Sequence, residues 1–426
     1  MAINNGIKQD RVSVFANLQH APPGGPFALA AEYQHDENPN KVDLVIGAYR
    51  DDNGQPWQLP SVKEAKRRMN IESIDHEYLP LRGNTDFLDA ARTLVFGPTI
   101  SQNTVRSIAS IQTVSGTGAN SLIAAFLQRH AQPTNIWLPD PTWANHVDIW
   151  RENAPDVNVR WYPYYDGYNR RFNLDGTIKA LRTEAQEHDA ILLHACAHNP
   201  TGLDPNREGW REIAVLCEEK KLFIVFDLAY QGFASGDLDR DAWAIRHFAT
   251  HPDVEMAVCQ SFSKNLGLYG ERTGALHVMA LIESPSPSAD SIENHLVDLQ
   301  RALVSMAPRL GSQIATEVLT SSELHAMWRD DLLTMSGRIK AMRQALYDEL
   351  VRLKTPGDWS HIVEQTGMFS YTGLGSDDVA MLKKKYHVYM LPSGRASICG
   401  LTTGNVRYTA QAIHEVVTRG RVENDR

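Results

Sequence analysis

The sequence predicts an α/β fold: a large domain with a mostly parallel sheet sandwiched by helices, joined to a smaller α+β domain. Four short runs, TNIWLP (134–139), AILLHA (190–195), LFIVFD (222–227) and EMAVCQ (255–260), are apolar on both faces. Strands covered by helices on both sides read this way. Between two of them, over 206–220, Trp210, Ile213, Ala214 and Cys217 recur at helical spacing. Strand–helix–strand repetition implies parallel strands joined by right-handed crossovers. Farther on, Leu332, Met335, Ile339, Met342, Leu346, Leu350 and Leu353 recur every three or four residues until Pro356-Gly357. That is the pattern of one long amphipathic helix with a stop signal. The rest is shorter and mixed, with a last helix near 405–418. The expected boundaries are therefore a large domain over 60–325, and a small domain over 326–426 completed by an N-terminal arm within 1–59.

Composition narrows the function. The chain has 426 residues, and 42 Lys+Arg against 51 Asp+Glu give a formal net charge of −9. No basic excess exists to neutralise phosphates along a strand, which argues against a nucleic-acid partner. No stretch of apolar residues is long enough to span a membrane. The four cysteines, Cys196, Cys217, Cys259 and Cys399, are widely spaced with no CxxC pair. They read as reduced thiols, neither a disulfide scaffold nor a metal site. MAINNGIKQDRVSVF lacks an apolar signal core and an Arg/Ser-rich transit pattern, so a cytoplasmic location is the expectation.

Three features carry chemistry. The first is Ser115-Gly-Thr-Gly-Ala-Asn-Ser121, between the apolar SIQTV and the helical LIAAFLQRH. Small residues at a strand-to-helix turn expose N–H groups at a positive helix end, which suits a phosphate; a tight turn with an N-cap would read the same. It falls short of G-x-G-x-x-G, because Ser121 takes the last place. The second is Asp227, at the end of LFIVFD with Tyr230 three residues on, where open α/β sheets bind ligands; a helix cap or ion pair is the plainer role. The third is Lys264, closing Gln260-Ser-Phe-Ser-Lys264. Most lysines are solvated surface charges, but a phosphate cradle, a carboxylate and a lysine on three strand ends together describe a pyridoxal 5′-phosphate site. The lysine forms the Schiff base, the carboxylate keeps the pyridinium protonated, and the cradle takes the phosphate. Ser261-Phe-Ser-Lys264 also matches the S-x-x-K of penicillin-binding enzymes. The companion S-D-N and K-T-G are missing, the nearest runs being Ser376-Asp377-Asp378 and Lys354-Thr355-Pro356.

The segments VIGAYRDDNGQPWQLPSV (45–62), EYLPLRG (77–83), SGTGAN (115–120), PTWANH (141–146), HACAHNPTG (194–202), FDLAYQGFASGDLDRDA (226–242), QSFSKNLGLYGERTG (260–274), SGR (393–395) and GLTTGN (400–405) closely resemble the aspartate aminotransferase family of fold type I pyridoxal phosphate enzymes, over nearly the whole length. The resemblance implies a seven-stranded sheet in the large domain. It makes Lys264 the Schiff-base lysine and proton shuttle, and Asp227 the partner of the pyridinium nitrogen, with His146 behind it. Asn199 and Tyr230 would bond the ring's 3-oxygen and Trp143 would stack on the ring. Ser115, Gly116, Thr117, Ser261, Ser263 and Arg272 would hold the phosphate. Tyr78 would reach the phosphate of a neighbouring subunit, which implies a homodimer with active sites shared across the interface. Arg395 would fork the substrate α-carboxylate, Gly47 would lie on a mobile lip, and Phe369 would flank the pocket.

One region departs from that pattern. The family's arginine for a distal carboxylate precedes a run like Ser-Asn-Pro-Pro. Here Arg301 matches the arginine when Ser305 and Gly311 are aligned, but Leu303, Val304, Met306 and Ala307 replace the aromatic and Asn-Pro-Pro residues. Ile46 stands where the family usually has Val, and Ala-Ser-Ile-Cys after Arg395 is also looser. The expected activity is transfer of the amino group of L-aspartate to 2-oxoglutarate by a ping-pong mechanism. The rival is a related enzyme of a specialised pathway, using another amino acid or β/γ-carbon chemistry. A non-catalytic cofactor-binding regulator is disfavoured by the presence of both Lys264 and Arg395.

Overall fold

Each of the four apolar runs is a strand: Asn135–Asp140, Ala190–His194, Phe223–Leu228 and Met256–Ser261. The computed structural model describes residues 13–19, 25–70, 72, 74–98, 108–281 and 289–424. The strands form part of a seven-stranded sheet in the order Ile108–Val114, Thr273–Met279, Met256–Ser261, Phe223–Leu228, Ala190–His194, Asn135–Asp140, Asn158–Pro163. Thr273–Met279 runs antiparallel to both neighbours, and every other pairing is parallel. Ala190–His194 and Met256–Ser261 are buried along their whole length, as strands covered on both faces require.

Thr273–Met279 does not read as an apolar run because His277 interrupts it. Its ring is fully buried yet satisfied: Nδ1 lies 2.8 Å from Ser110 Oγ and Nε2 3.1 Å from Gln260 Oε1, one partner on each neighbouring strand. Asn158–Pro163 is the sheet edge and is mostly exposed, so it lacks the apolar signal for a different reason.

The predicted crossover helix is Arg207–Glu219. The Asn206 side chain caps it by accepting from Gly209 N–H at 2.8 Å, and Trp210, Ile213, Ala214 and Cys217 face the sheet. The long amphipathic helix is Ser322–Arg352, capped by Ser321, whose hydroxyl accepts from Leu324 N–H at 3.3 Å. Leu332, Met335, Ile339, Met342, Leu346 and Leu350 are all buried, each contributing about 1.5–3 kcal/mol of apolar burial. The last helix, Val406–Asn424, continues past the expected end at 418. Val42–Asp43 pairs in parallel with Val388–Tyr389, which ties the N-terminal segment to the C-terminal hundred residues. Of the arm, residues 1–12 and 20–24 lie outside the described residues. A short antiparallel pair, Phe369–Tyr371 with Arg395–Ser397, reaches the loop after Ala190–His194 through a hydrogen bond from Arg395 to Asn199.

Buried imidazoles set an acid limit on this fold. Burial, helped by the charges of Arg92 and Arg82, pushes His277 down to about 3, and burial with Arg170 pushes His361 down to about 4. Both are neutral in the folded chain, whereas in the unfolded chain they take protons below pH of about 6.5. Their contribution to stability is complete above that pH and is lost as pH falls toward the folded values. Urea midpoints measured from pH 7 to 4 should fall less steeply in His277→Gln, which keeps a donor and an acceptor, than in the parent. Equal slopes would contradict the assignment.

Candidate active site

Six strands end, and the antiparallel one begins, at a single edge of the sheet. There Asp227 lies opposite His194 and Cys259, Gly274 opposite Ser261, and Thr273 opposite Val114. The run SGTGANS is not a turn preceding a helix but the first turns of the helix Ser115–His130. Ser115, at φ 61°, makes the whole strand-to-helix turn by itself, a conformation uncommon for any residue but glycine. Ser115 Oγ lies 3.2 Å from Ser261 Oγ and 2.9 Å from Ser263 Oγ. Arg272 Nη1 donates to Ser263 Oγ at 3.4 Å and to the Tyr269 carbonyl at 3.1 Å. Gly116 borders this cluster closely, since a Cβ there would come 3.0 Å from Ser261 Cβ. Gly274 lets the helix start approach, because a Cβ on it would come 2.5 Å from the Ser115 carbonyl carbon. Three hydroxyls, a guanidinium and the free N–H groups of a helix end, with Thr117 in the same turn, thus converge with no carboxylate among them. That donor set fits a phosphate dianion.

Asp227 is buried, and its Oδ2 takes hydrogen bonds from His146 Nε2 at 3.0 Å and Asn120 Nδ2 at 3.2 Å. Burial by itself would raise this carboxyl. The hydrogen bond and charge of His146, with the fields of His194 and Lys264, hold it below the ordinary range instead. Behind it a chain continues: His146 Nδ1 to Thr142 Oγ1 at 2.9 Å, Thr142 Oγ1 to His194 Nε2 at 3.1 Å, and His194 Nδ1 to Asn199 N–H at 3.3 Å. Trp143, half-buried, meets the His146 ring edge-on at 5.1 Å.

Lys264 is half-buried with its Nζ 5.2 Å from the Tyr230 ring centre. Desolvation lowers its pKa, Asp227 opposes that, and Arg272 and Arg395 add to it. The amine is therefore more readily neutral, and more nucleophilic, than a surface lysine. The Tyr230 hydroxyl is raised by burial. Arg395 is 7% exposed and pushed down to about 10, chiefly by burial. It donates through Nη1 to Asn199 Oδ1 at 3.3 Å and through Nη2 to the Val45 carbonyl at 2.9 Å. Its guanidinium rests 4.1 Å from the Phe369 ring centre. A Cβ on Gly47 would come 2.4 Å from that ring, so the backbone at Gly47 packs directly on it.

The residues Lys264, Asp227, Tyr230, Ser115, Gly116, Thr117, Trp143, His146, Asn199, Ser261, Ser263, Arg272, Arg395, Phe369 and Gly47 thus gather around one edge. Tyr78 and Arg301 do not join them within one chain. Both are exposed, on one surface: Gln300 Nε2 reaches the Leu81 carbonyl at 3.4 Å, and Arg309 Nη1 the Glu77 carbonyl at 3.1 Å. Leu303 and Val304 are exposed there too. Three further participants sit inside recognised motifs without having been singled out: Asn120, Thr142 and His194. Their signal is polarity at inward-facing positions of a helix (Asn120), a strand end (His194) and the loop between Asp140 and Asn145 (Thr142).

Residues 39–413 match the family described as aminotransferase class I and II. The chain belongs to that family. It is 49% identical to an L-tyrosine:2-oxoglutarate aminotransferase of Aspergillus ustus, over 91% of this chain and 75% of that protein. It superposes on the cytoplasmic aspartate aminotransferase of Saccharomyces cerevisiae with a TM-score of 0.92, at 41% identity, covering 95% of this chain and 99% of that one. An aromatic-amino-acid aminotransferase of Burkholderia pseudomallei, solved covalently bound to pyridoxal phosphate, matches with a TM-score of 0.88 at 32% identity, covering 95% and 100%. An aminotransferase needs a nucleophilic amine beside anion-binding groups, and this edge supplies both.

The hydrogen-bond chain behind Asp227 needs His194 uncharged. Burial first, then the charge of His146, pushes His194 down to about 3. Imidazole nitrogen NMR should show no titration of His194 between pH 5 and 8; a midpoint near 6.5 would contradict the chain as described.

Proposed function

We propose that this enzyme moves the amino group of L-aspartate to 2-oxoglutarate, giving oxaloacetate and L-glutamate in two alternating half-reactions. The observation that carries the reading is the meeting of Lys264, Asp227 and the Ser115–Ser261–Ser263–Arg272 cradle on one sheet edge, with Arg395 as a further buried cation. Pyridoxal 5′-phosphate is the cofactor, and when bound it supplies an electron sink for the bond broken at the substrate's α-carbon. Ser115, Gly116, Thr117, Ser261, Ser263 and Arg272 hold the phosphate. Asp227, kept ionised by His146, holds the ring nitrogen protonated. Asn199 and Tyr230 donate to the ring oxygen, and Trp143 covers the ring face. The Lys264 amine would make the covalent attachment; once displaced by substrate, it would take the α-proton at Nζ and return it two bonds away, on the far side of the shared nitrogen. Arg395 forks the α-carboxylate, with Asn199 fixing the guanidinium from the side. Gly47 and Phe369 close the pocket against water.

The same proposal includes a homodimer. Tyr78 is 80% exposed and shares its surface with exposed Leu81, Leu303 and Val304, which suits a face covered by a second copy. Tyr78 would then reach the other copy's phosphate, and Arg301 the distal carboxylate of its substrate. The division into 60–325 and 1–59 with 326–426 belongs to this reading, the small unit being free to close on the large one. Cytoplasmic location is supported by the name of the yeast neighbour.

A second reading is favoured by one observation. The segment after Arg301 offers Leu303, Val304 and Met306, an apolar surround compatible with an aromatic side chain, and the Aspergillus ustus relative is named for tyrosine. Half-reaction spectra with L-aspartate, L-glutamate and L-tyrosine separate the two. Conversion by aspartate and glutamate is expected; conversion by tyrosine alone would overturn the aspartate reading in favour of the second. Arg301→Gln should lower kcat/KM for aspartate about a hundredfold or more, the scale of losing one partner of a desolvated charge pair, and leave any tyrosine turnover nearly unchanged. An equal effect on both would place Arg301 outside the distal pocket. Lys264→Ala should lower turnover at least ~10²–10⁴-fold, the usual contribution of a positioned proton carrier; a normal rate would overturn the mechanism.

A further inference from the structure

Arg343 lies in the middle of the helix Ser322–Arg352 and is 2% exposed. An arginine taken out of water is expected to hold a carboxylate, and among the described residues none faces it. All its partners are main-chain carbonyls of one short segment. Nη1 donates to Ile362 at 3.0 Å; Nη2 donates to Thr366 at 3.3 Å, to Gly367 at 2.9 Å, and to Phe369. Burial pushes this guanidinium down to about 9, a measure of how poorly the surroundings replace water. A methionine or leucine would suit such a place better if packing were the only demand, since neutral replacements of buried ions are often stabilising.

The segment it holds bears on the site. Phe369 opens the strand Phe369–Tyr371, paired with Arg395–Ser397 so that Phe369 faces Ser397 and Tyr371 faces Arg395. The Phe369 ring lies beneath the Arg395 guanidinium and against Gly47. The segment is also anchored across to the sheet side, where Thr366 N–H donates to the Gly202 carbonyl at 2.6 Å. Gly202 closes the turn that carries Asn199, and Asn199 accepts from Arg395 at 3.3 Å. A planar fork with several rigidly placed donors can fix several carbonyls of a bend at once, which a flexible ammonium cannot.

We propose that Arg343 is a positioning residue for substrate: by gathering the carbonyls of Ile362, Thr366, Gly367 and Phe369 it sets the height of the Phe369 ring, and hence the direction in which Arg395 presents its guanidinium to the α-carboxylate. The inference rests on the reading of Arg395 given above. It touches neither the cofactor cradle nor the distal pocket, so it acts alike on every amino acid the enzyme binds.

The test compares the parent holoenzyme with Arg343→Met and Arg343→Lys. It reads melting temperature, cofactor absorbance, kcat and KM for L-aspartate and L-tyrosine, and dissociation constants of their 2-methyl analogues, which carry the carboxylate but have no α-proton to lose. Arg343→Met should weaken both analogues by the same factor, about tenfold or more, with kcat within about threefold and the cofactor spectrum unchanged. Arg343→Lys, which keeps the charge but loses the fork, should fall between. Misplacement of about 1 Å in such a group is enough for losses of this size. Parental dissociation constants in Arg343→Met, whatever its melting temperature, would overturn the inference. If Arg343→Met does not fold, Arg343→Lys decides: weaker analogue binding supports it and parental binding overturns it. Failure of the Arg395 reading shows instead in the parent, as saturation by neither analogue, and overturns both.

Discussion

Removing a carboxylate from water costs several kcal/mol unless hydrogen bonds and opposite charge replace the solvent, and Asp227 is that carboxylate here. Its position at the end of a central strand puts it beside His194 on one neighbour and Cys259 on the other, too deep for water to help. The compensation comes from the next layer out: Asn120 from the helix that begins at Ser115, and His146 from the first turn of the helix Asn145–Asn153 that follows Asn135–Asp140. Each of these is held by its own strand end, so the ionised state of Asp227 depends on the register of the whole sheet. The reverse dependence also holds, because Lys264, Arg272 and Arg395 would repel one another in so small a volume without a negative group among them.

That arrangement reconciles a net charge of −9 with a cationic pocket. A whole-chain sum describes the solvated surface, whereas the site is built by burial, where local charges interact through little water. The cations are also graded by their surroundings. Lys264 is lowered by desolvation and by two neighbouring arginines, which suits an amine that must attack. Arg395 and Arg272 stay charged despite burial, which suits groups that only bind.

Much of this was legible in the sequence. The four apolar runs, the crossover helix over 206–220 and the long helix through Leu332–Leu350 follow from hydrophobic period, while the caps at Asn206 and Ser321 come from the structure. The Ser115 cradle, Asp227 and Lys264 follow from three chemical groups falling at strand ends, whereas the other site residues are placed by resemblance to a known family. What escaped has identifiable causes. Thr273–Met279 hides because His277 finds its partners on adjacent strands, so a polar residue sits where an apolar pattern is expected. The early start of the helix at Ser115 depends on one serine in a left-handed conformation, which residue type does not announce. Arg343 hides because helical periodicity counts apolar positions, and its partners are carbonyls 19 to 26 residues away. Tyr78 and Arg301 lie on an exposed surface away from the site within one chain, so one chain does not test the roles that the resemblance implies for them.

The most direct measurement of the central claim is chemical. The holoprotein would be reduced with borohydride, digested, and mapped by mass spectrometry for the pyridoxyl group, alongside an Asp227→Ala protein. The expected result is a single modified residue, Lys264, and a weakly held, poorly reactive cofactor in Asp227→Ala. A pyridoxyl group on another lysine, or none on Lys264, would contradict the assembly of lysine, carboxylate and cradle as one site.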